Sequence, residues 1–239
     1  MKNPSTLFHR HKKTGATLIE LIVVIFVVAA LASLIIPAFR RAQQSAQAGV
    51  CISNLKNIGS AFRLYASEND NLFPAARFAN RGETNLYRQN PSGKNWQTEI
   101  HPYLRDVKSY GEARGNADIY VFCPTYVNEY RKDPDAKKLQ ASGYGMNNSL
   151  ATGSWDYRFN SVLIKSTARA ILVGDSDDYF LKVTKNLEPN KGDRYSGYSD
   201  RCGDPVRHLG KANYVFVDGH VSTLDQEEAA TFFDDYGKL

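Results

Sequence analysis

Residues 12–39, KKTGATLIELIVVIFVVAALASLIIPAF, decide how the chain is built. From Leu21 to Phe39 nineteen residues carry no charge, and at about 1.5 Å per helical residue such a run spans roughly 28 Å, the thickness of a bilayer's hydrocarbon core. It predicts a transmembrane helix. A secretory signal peptide would have a shorter apolar region closing on a small-residue cleavage site, whereas this run continues past Ala32-Ser33 through Leu34, Ile35 and Ile36. One acid, Glu20, stands directly before the run. A carboxylate beside hydrocarbon is costly unless it has a partner or a task; the plainer alternative is a glutamate that snorkels to the interface of a simple anchor.

On the N-terminal side Lys2, Arg10, Lys12 and Lys13 precede Gly15 without an intervening acid. Only Arg40 and Arg41 follow the run closely, so the charge bias predicts the amino end in the cytoplasm and residues 40–239 outside it. The chain's 30 basic residues against 25 acidic ones give a net charge of +5, but without residues 1–15 the balance is 26 to 25. A basic tail is not the basic face that nucleic acid requires, and a nucleic-acid partner is not expected.

Beyond Pro37 the apolar pattern changes without ending. Phe39, Ala42, Ala46, Val50 or Cys51, Leu55, Ile58, Phe62 and Tyr65 recur mostly at steps of three and four, which draws one apolar stripe along a polar helix. One helix is therefore predicted from Thr17 to Ser67, kinked by Pro37 and weakened at Gly49 and Gly59 by about 1 kcal/mol each. Further on, NWQTEIHPYL reads as a short helix, IYVFCPTY as β-rich up to Cys123 with Pro124 ending it, and SGYGMNNSL as turn and extended chain. RAILVGDS reads as a strand from Arg169 to Gly174. The clearest hairpin is ANYVFVDGHVSTL, with Asp218-Gly219 as a two-residue turn of positive backbone angles, and QEEAATFFDDY reads as a terminal helix or tail. Helix first and strands after, without βα alternation, predicts an α+β fold.

Lys12-Lys13-Thr14-Gly15 followed by Ala16-Thr17-Leu18-Ile19-Glu20-Leu21 resembles the processing site of type IV prepilins and type II secretion pseudopilins. The resemblance implies a pilin-like fold, a long N-terminal helix packed on a small antiparallel sheet. It implies a leader of residues 1–15, a membrane and assembly segment of residues 16–39, and an extracytoplasmic domain of residues 40–239. Prepilin peptidase would cut between Gly15 and Ala16 and methylate Ala16, although the family most often has Phe or Met at that position. Glu20 becomes the fifth mature residue and Pro37 falls where many members carry a helix-kinking proline; both are assembly residues by this likeness. A second resemblance, to prepilin-like proteins with a His-x9-Asp-Gly signature, rests on His208, Asp218 and Gly219, with CISNLKNIGSAF and VFCP as companion segments. It implies membership and no particular chemistry.

Catalysis finds little support. There is no G-x-S-x-G, H-E-x-x-H, Walker loop or C-x-x-C, and three histidines remain beyond residue 15. Neither a cofactor nor a metal is expected. A loop histidine entering a hairpin, such as His208, is expected to bond the turn backbone or Asp218 rather than act as a base. Gly174-Asp175-Ser176-Asp177-Asp178 could offer oxygens to calcium but lacks EF-hand spacing and reads as solvated loop carboxylates. Cys51 lies on the apolar stripe as a small buried hydrophobe, which leaves Cys123 and Cys202 as the candidate disulfide. The expected protein is a subunit, not an enzyme: held in the inner membrane, cut by prepilin peptidase, and assembled with its own copies or other pseudopilins into a pilus or secretion pseudopilus. The rival from another class is a membrane-tethered module that binds a surface polymer or DNA.

Overall fold

The computed structural model describes residues 17–74, 96–104, 121–130, 143–150, 158–176, 180–185 and 203–234. The first helix, α1, runs from Leu18 to Glu68, 51 residues that continue through Pro37. It opens on a reciprocal cap. Thr17 Oγ1 accepts from the Glu20 backbone N–H at 3.4 Å, while Glu20 Oε2 accepts from the Thr17 N–H at 2.7 Å and from the Thr17 hydroxyl at 2.9 Å, the two-way pattern that satisfies otherwise orphaned donors at a helix start. It closes where Asp70 and Asn71 take positive φ and the Asn71 N–H donates to the Ala66 carbonyl at 2.9 Å. Short polar side chains tolerate that left-handed conformation best after glycine.

The chain divides into two compact units, residues 1–43 and 44–239. In the first, the described residues are helix with apolar side chains in the open: Leu18, Phe26 and Leu34 are 76, 73 and 75 % exposed. A helix that is apolar all round belongs in apolar surroundings, and this one is long and apolar enough to cross a bilayer.

The second unit holds the rest of α1 and an α+β head. After β1 (Leu72–Phe73) come α2 (Trp96–Ile100), α3 (Pro124–Tyr130), β2 (Tyr144–Asn147) and β3 (Phe159–Asn160), which pairs with β1. Then follow β4 (Ile171–Asp175), β5 (Phe180–Leu181), β6 (Ala212–Phe216), β7 (Val221–Leu224) and α4 (Gln226–Asp234). The main sheet has the order β5-β2-β4-β6-β7; neighbours are antiparallel except β5, which adds parallel to β2.

Both sheet faces are covered. Of the stripe read from sequence, Cys51, Leu55, Ile58, Phe62 and Tyr65 are buried with Met146, Val173 and Val215 on one side, whereas Phe39, Ala42, Ala46 and Val50 are exposed. Tyr214 and Phe216 point the other way, with period two along the strand, onto Ala229 and Ala230 of α4. A register shift between Ile171 and Val173 lets both Leu172 and Val173 join the α1 side, as an inserted residue does. Gly59 has a use beyond weakening α1: a Cβ there would stand 2.7 Å from Val215 Cγ2, so its absence allows helix and sheet to approach.

Two local expectations are corrected. Residues 121–123 are not a strand, and Pro124 opens α3 rather than only ending an extended run, because proline's fixed φ suits a first helical turn. The hairpin loop has three residues, Val217, Asp218 and Gly219. The Phe216 N–H still donates to the His220 carbonyl, the Gly219 N–H donates to the Phe216 carbonyl, and of the pair Asp218-Gly219 only Gly219 has positive φ, the geometry of a turn closed by a glycine bulge.

Candidate functional site

The segments that carry the second resemblance meet inside the head. Cys51 comes from the buried stripe of α1, and one turn on, Asn54 Nδ2 donates to the Phe122 carbonyl at 2.9 Å and to the Tyr144 hydroxyl at 3.2 Å. That grip holds Cys123, at the entry to α3, against the helix. Cys51 Sγ and Cys123 Sγ stand 2.8 Å apart, both fully buried. His208 arrives from a tight turn in which Leu209 and Gly210 both have positive φ, closed by His208 N–H to the Lys211 carbonyl at 2.7 Å and its reciprocal at 3.1 Å. This turn aims the imidazole inward. His208 Nε2 lies 3.6 Å from Cys123 Sγ and 3.3 Å from Asp175 Oδ2, and Nδ1 lies 3.4 Å from Thr125 Oγ1.

Asp175 ends β4 with its side chain wholly buried. Its Oδ2 accepts from the Asn213 N–H at 2.7 Å, and its Oδ1, which accepts no hydrogen bond among the described residues, faces Arg207 Nη1 at 3.6 Å. Arg207 is equally buried. Its Nε donates to Asp204 Oδ2 at 2.8 Å, its Nη1 donates to the Gly143 carbonyl, and its guanidinium lies over the Tyr126 ring at 5.0 Å. The expectation that residues 174–178 are solvated loop carboxylates is therefore wrong for Asp175; Asp177 and Asp178 lie outside the described residues.

Protonation follows from this packing. Burial alone would raise the Cys123 thiol, but hydrogen bonds with Cys51 and His208 and the charge of Arg207 bring it down to about 4. Cys51, hydrogen-bonded to that sulfur and buried, is held far above the usual thiol range and keeps the shared proton. Burial pulls His208 down, yet Asp175 and Cys123 together carry it up to about 9. Asp175 is raised by burial against the pull of His208 and Arg207. The reduced cluster is thus a thiolate and a carboxylate facing an imidazolium and a guanidinium, closely paired and away from water.

This is an ion cluster rather than a nucleophile's relay. A relay places carboxylate and nucleophile on opposite ring nitrogens of the histidine, whereas Asp175 and Cys123 both face Nε2. The His208 and Asp175 side chains are 2 and 0 % exposed, which also denies a substrate access.

The other residues singled out by sequence are placed as follows. His208 does not bond the hairpin's turn or Asp218 as expected; its ring faces Asp175, Cys123 and Thr125. Asp218 instead accepts from the His220 N–H at 3.0 Å, contacts His220 Nδ1 at 2.6 Å, and gives its carbonyl to Arg63 of α1 at 2.7 Å. The His-x9-Asp-Gly residues therefore do separate work at the two ends of β6, one anchoring the buried cluster and the other fastening the hairpin tip to α1. Cys51 is buried as expected, but beside Cys123. Gly15, Ala16 and Cys202 lie outside the described residues. Glu20 is the partner of Thr17, and Pro37 lies within α1.

No protein-family model matches the chain, and no solved structure does. Over 150 residues the chain is 28 % identical to the type II secretion system core protein G of Pseudomonas aeruginosa, an alignment that covers 62 % of this chain and 98 % of that protein. The chain is related to that secretion-system protein over nearly the whole of the latter's length.

Proposed function

We propose that the chain is a prepilin-like structural subunit, cut by prepilin peptidase between Gly15 and Ala16, methylated at Ala16, and assembled with its own copies or other pseudopilins into a type II secretion pseudopilus or a type IV pilus-like filament. The observation that carries this reading is the uncovered apolar first half of α1, opened by Glu20, in a chain related to a type II secretion core protein. Before assembly the helix lies in the inner membrane with residues 1–15 in the cytoplasm and the head outside. On assembly, the same apolar side chains pack against those of neighbouring subunits. The head then forms the outer surface, and the chain acts as a building unit rather than as an enzyme.

Glu20 has two tasks in this scheme. Within one chain it caps α1 through Thr17. In a filament its charge meets the amino group that cleavage exposes on a neighbouring subunit, a pairing strengthened by partial removal from water. Glu20→Gln separates the two, because glutamine serves as the reciprocal cap but carries no charge. The mature wild-type protein should begin at a methylated Ala16 by intact mass and terminal sequencing. Glu20→Gln should be cut equally well and form few filaments by electron microscopy. Protein from cells that still begins at Met1 defeats the processing step, and abundant filaments from Glu20→Gln defeat the charge-pairing step.

A further inference from the structure

Two thiols 72 residues apart in sequence meet in the head with their sulfurs at 2.8 Å. That is inside the separation of unbonded sulfurs, and a disulfide of about 2.05 Å requires each to move by less than half an ångström. Together with His208 they form a group whose ligand atoms all lie within 4.8 Å of one another, so a metal clamp is the competing use of the same atoms. Geometry decides against it. Two thiolates on one tetrahedral zinc, each at about 2.3 Å, stand roughly 3.7 Å apart, and the Nε2 that would be the imidazole ligand is turned towards Asp175 at 3.3 Å. Asn54 holds the Phe122 carbonyl beside Cys123 at a fixed height on α1, which keeps the sulfurs opposed.

We propose that Cys51 and Cys123 are joined in the mature protein by an intrachain disulfide that fastens residues 44–68 of α1 to the head. The oxidant is a disulfide, either that of a thiol oxidoreductase or a low-molecular-weight one. Cys123, as thiolate, attacks one sulfur of that disulfide and expels the other as a thiolate. Cys51 then gives up its proton and attacks Cys123 Sγ, forming the Cys51–Cys123 bond and expelling the second thiolate. Two electrons pass to the external disulfide, and the two protons lost by Cys51 and Cys123 end on its two thiols. Because both sulfurs are buried in the folded head, exchange takes place before α1 is fully seated, and the finished bond is then shielded. The oxidising surroundings rest on the proposed export of the head; the pairing does not.

The test is peptide mapping without reductant, after alkylation of free thiols in denaturant, on the full chain from cells and on the same chain reduced in denaturant and refolded with glutathione disulfide. A Cys51–Cys123 peptide pair that disappears on reduction is expected in both samples, and Cys202→Ser should retain it. Pairing found only with glutathione disulfide overturns the bond in the mature protein, although the two sulfurs can join, and counts also against export of the head. Thiols at Cys51 and Cys123 that stay alkylatable after glutathione treatment overturn the proposal. So does Cys123 linked to Cys202, or one equivalent of zinc bound to the reduced chain and lost in both Cys51→Ser and Cys123→Ser.

Discussion

Replacing Asp175 by asparagine tests the buried cluster most directly. The shape hardly changes, and an amide oxygen can still accept from the Asn213 N–H, but the negative charge opposite His208 Nε2 at 3.3 Å and Arg207 Nη1 at 3.6 Å is gone. Removing one partner from a buried ion group typically costs about 3–5 kcal/mol, because the remaining charge is stranded. Arg207 retains Asp204, and His208 can lose its proton, so the lower part of that range applies. At roughly 2–4 °C per kcal/mol for a chain of this size, melting of the reduced protein in detergent should fall by about 6–12 °C near pH 7. The pH dependence separates charge from packing. A histidine raised from 6.5 to about 9 contributes stability that is fully present below the unfolded value and lost as pH rises through the folded one; the interval corresponds to about 3 kcal/mol. The gap between wild type and Asp175→Asn should therefore be wide at pH 7 and narrow above pH 9. A gap under about 2 °C at pH 7, or one unchanged at alkaline pH, would refute the ionic reading.

Two further measurements follow from the same geometry. In the reduced protein Cys123 titrates near 4 against an ordinary value of 9.0, so its contribution is present above the ordinary value and lost as pH falls through 4. Acid should thus destabilise the reduced chain more than the oxidised one, in which Cys123 has no proton to bind; parallel acid limbs in the two melting curves would contradict this. On α1, a Cβ at Gly49 meets nothing within 4 Å, whereas one at Gly59 meets Val215 at 2.7 Å. Gly49→Ala should raise stability by about 0.5–1 kcal/mol from helix propensity alone. Gly59→Ala should lower it by about 1–2 kcal/mol, since overpacking of about 1–3 kcal/mol outweighs that gain; chemical denaturation of both variants distinguishes the sites.

What could be read from sequence was whatever a short window contains. The uncharged run and the stripe from Cys51 to Tyr65 announce α1, and alternation in ANYVFV announces β6. The cap Thr17-Leu18-Ile19-Glu20 was equally local, but the cost of a carboxylate beside a membrane draws attention from the simpler pattern. The polar cluster could not be read this way. Asp218 looks like the natural partner of His208 because only nine residues separate them, yet β6 carries them apart by roughly 16 Å at about 3.3 Å per strand residue. The true partner, Asp175, is brought in by pairing of Gly174 with Tyr214 across β4 and β6, a long-range contact that no window contains. The hairpin loop is one residue longer than Asp218-Gly219 suggests for the same reason, since its length is fixed by Val215 opposite Val221.

The polar contacts of α1 also answer a question that its apolar stripe leaves open. A stripe with apolar residues every three or four positions matches itself almost as well after sliding by one turn, about 5.4 Å. Burial of Leu55, Ile58 and Phe62 therefore drives the helix onto the sheet without deciding where along it the helix stops. Polar and thiol contacts decide that, three of them being Asn54 to the Phe122 carbonyl, Cys51 to Cys123, and Arg63 to the Asp218 carbonyl at the hairpin tip. Asn54 and Arg63 lie on opposite flanks of the stripe, nine residues and so about half a rotation apart, and a one-turn slip would break all three contacts together. Such a slip would leave the Phe122 carbonyl without its amide donor and expose the charged cluster beneath Cys51. The penalty for these losses is far steeper than any change in apolar area. Specificity of seating thus resides in the few polar residues at the edge of an apolar interface, which is why Cys51, Asn54, Cys123 and His208 belong to one physical unit although they come from distant parts of the chain.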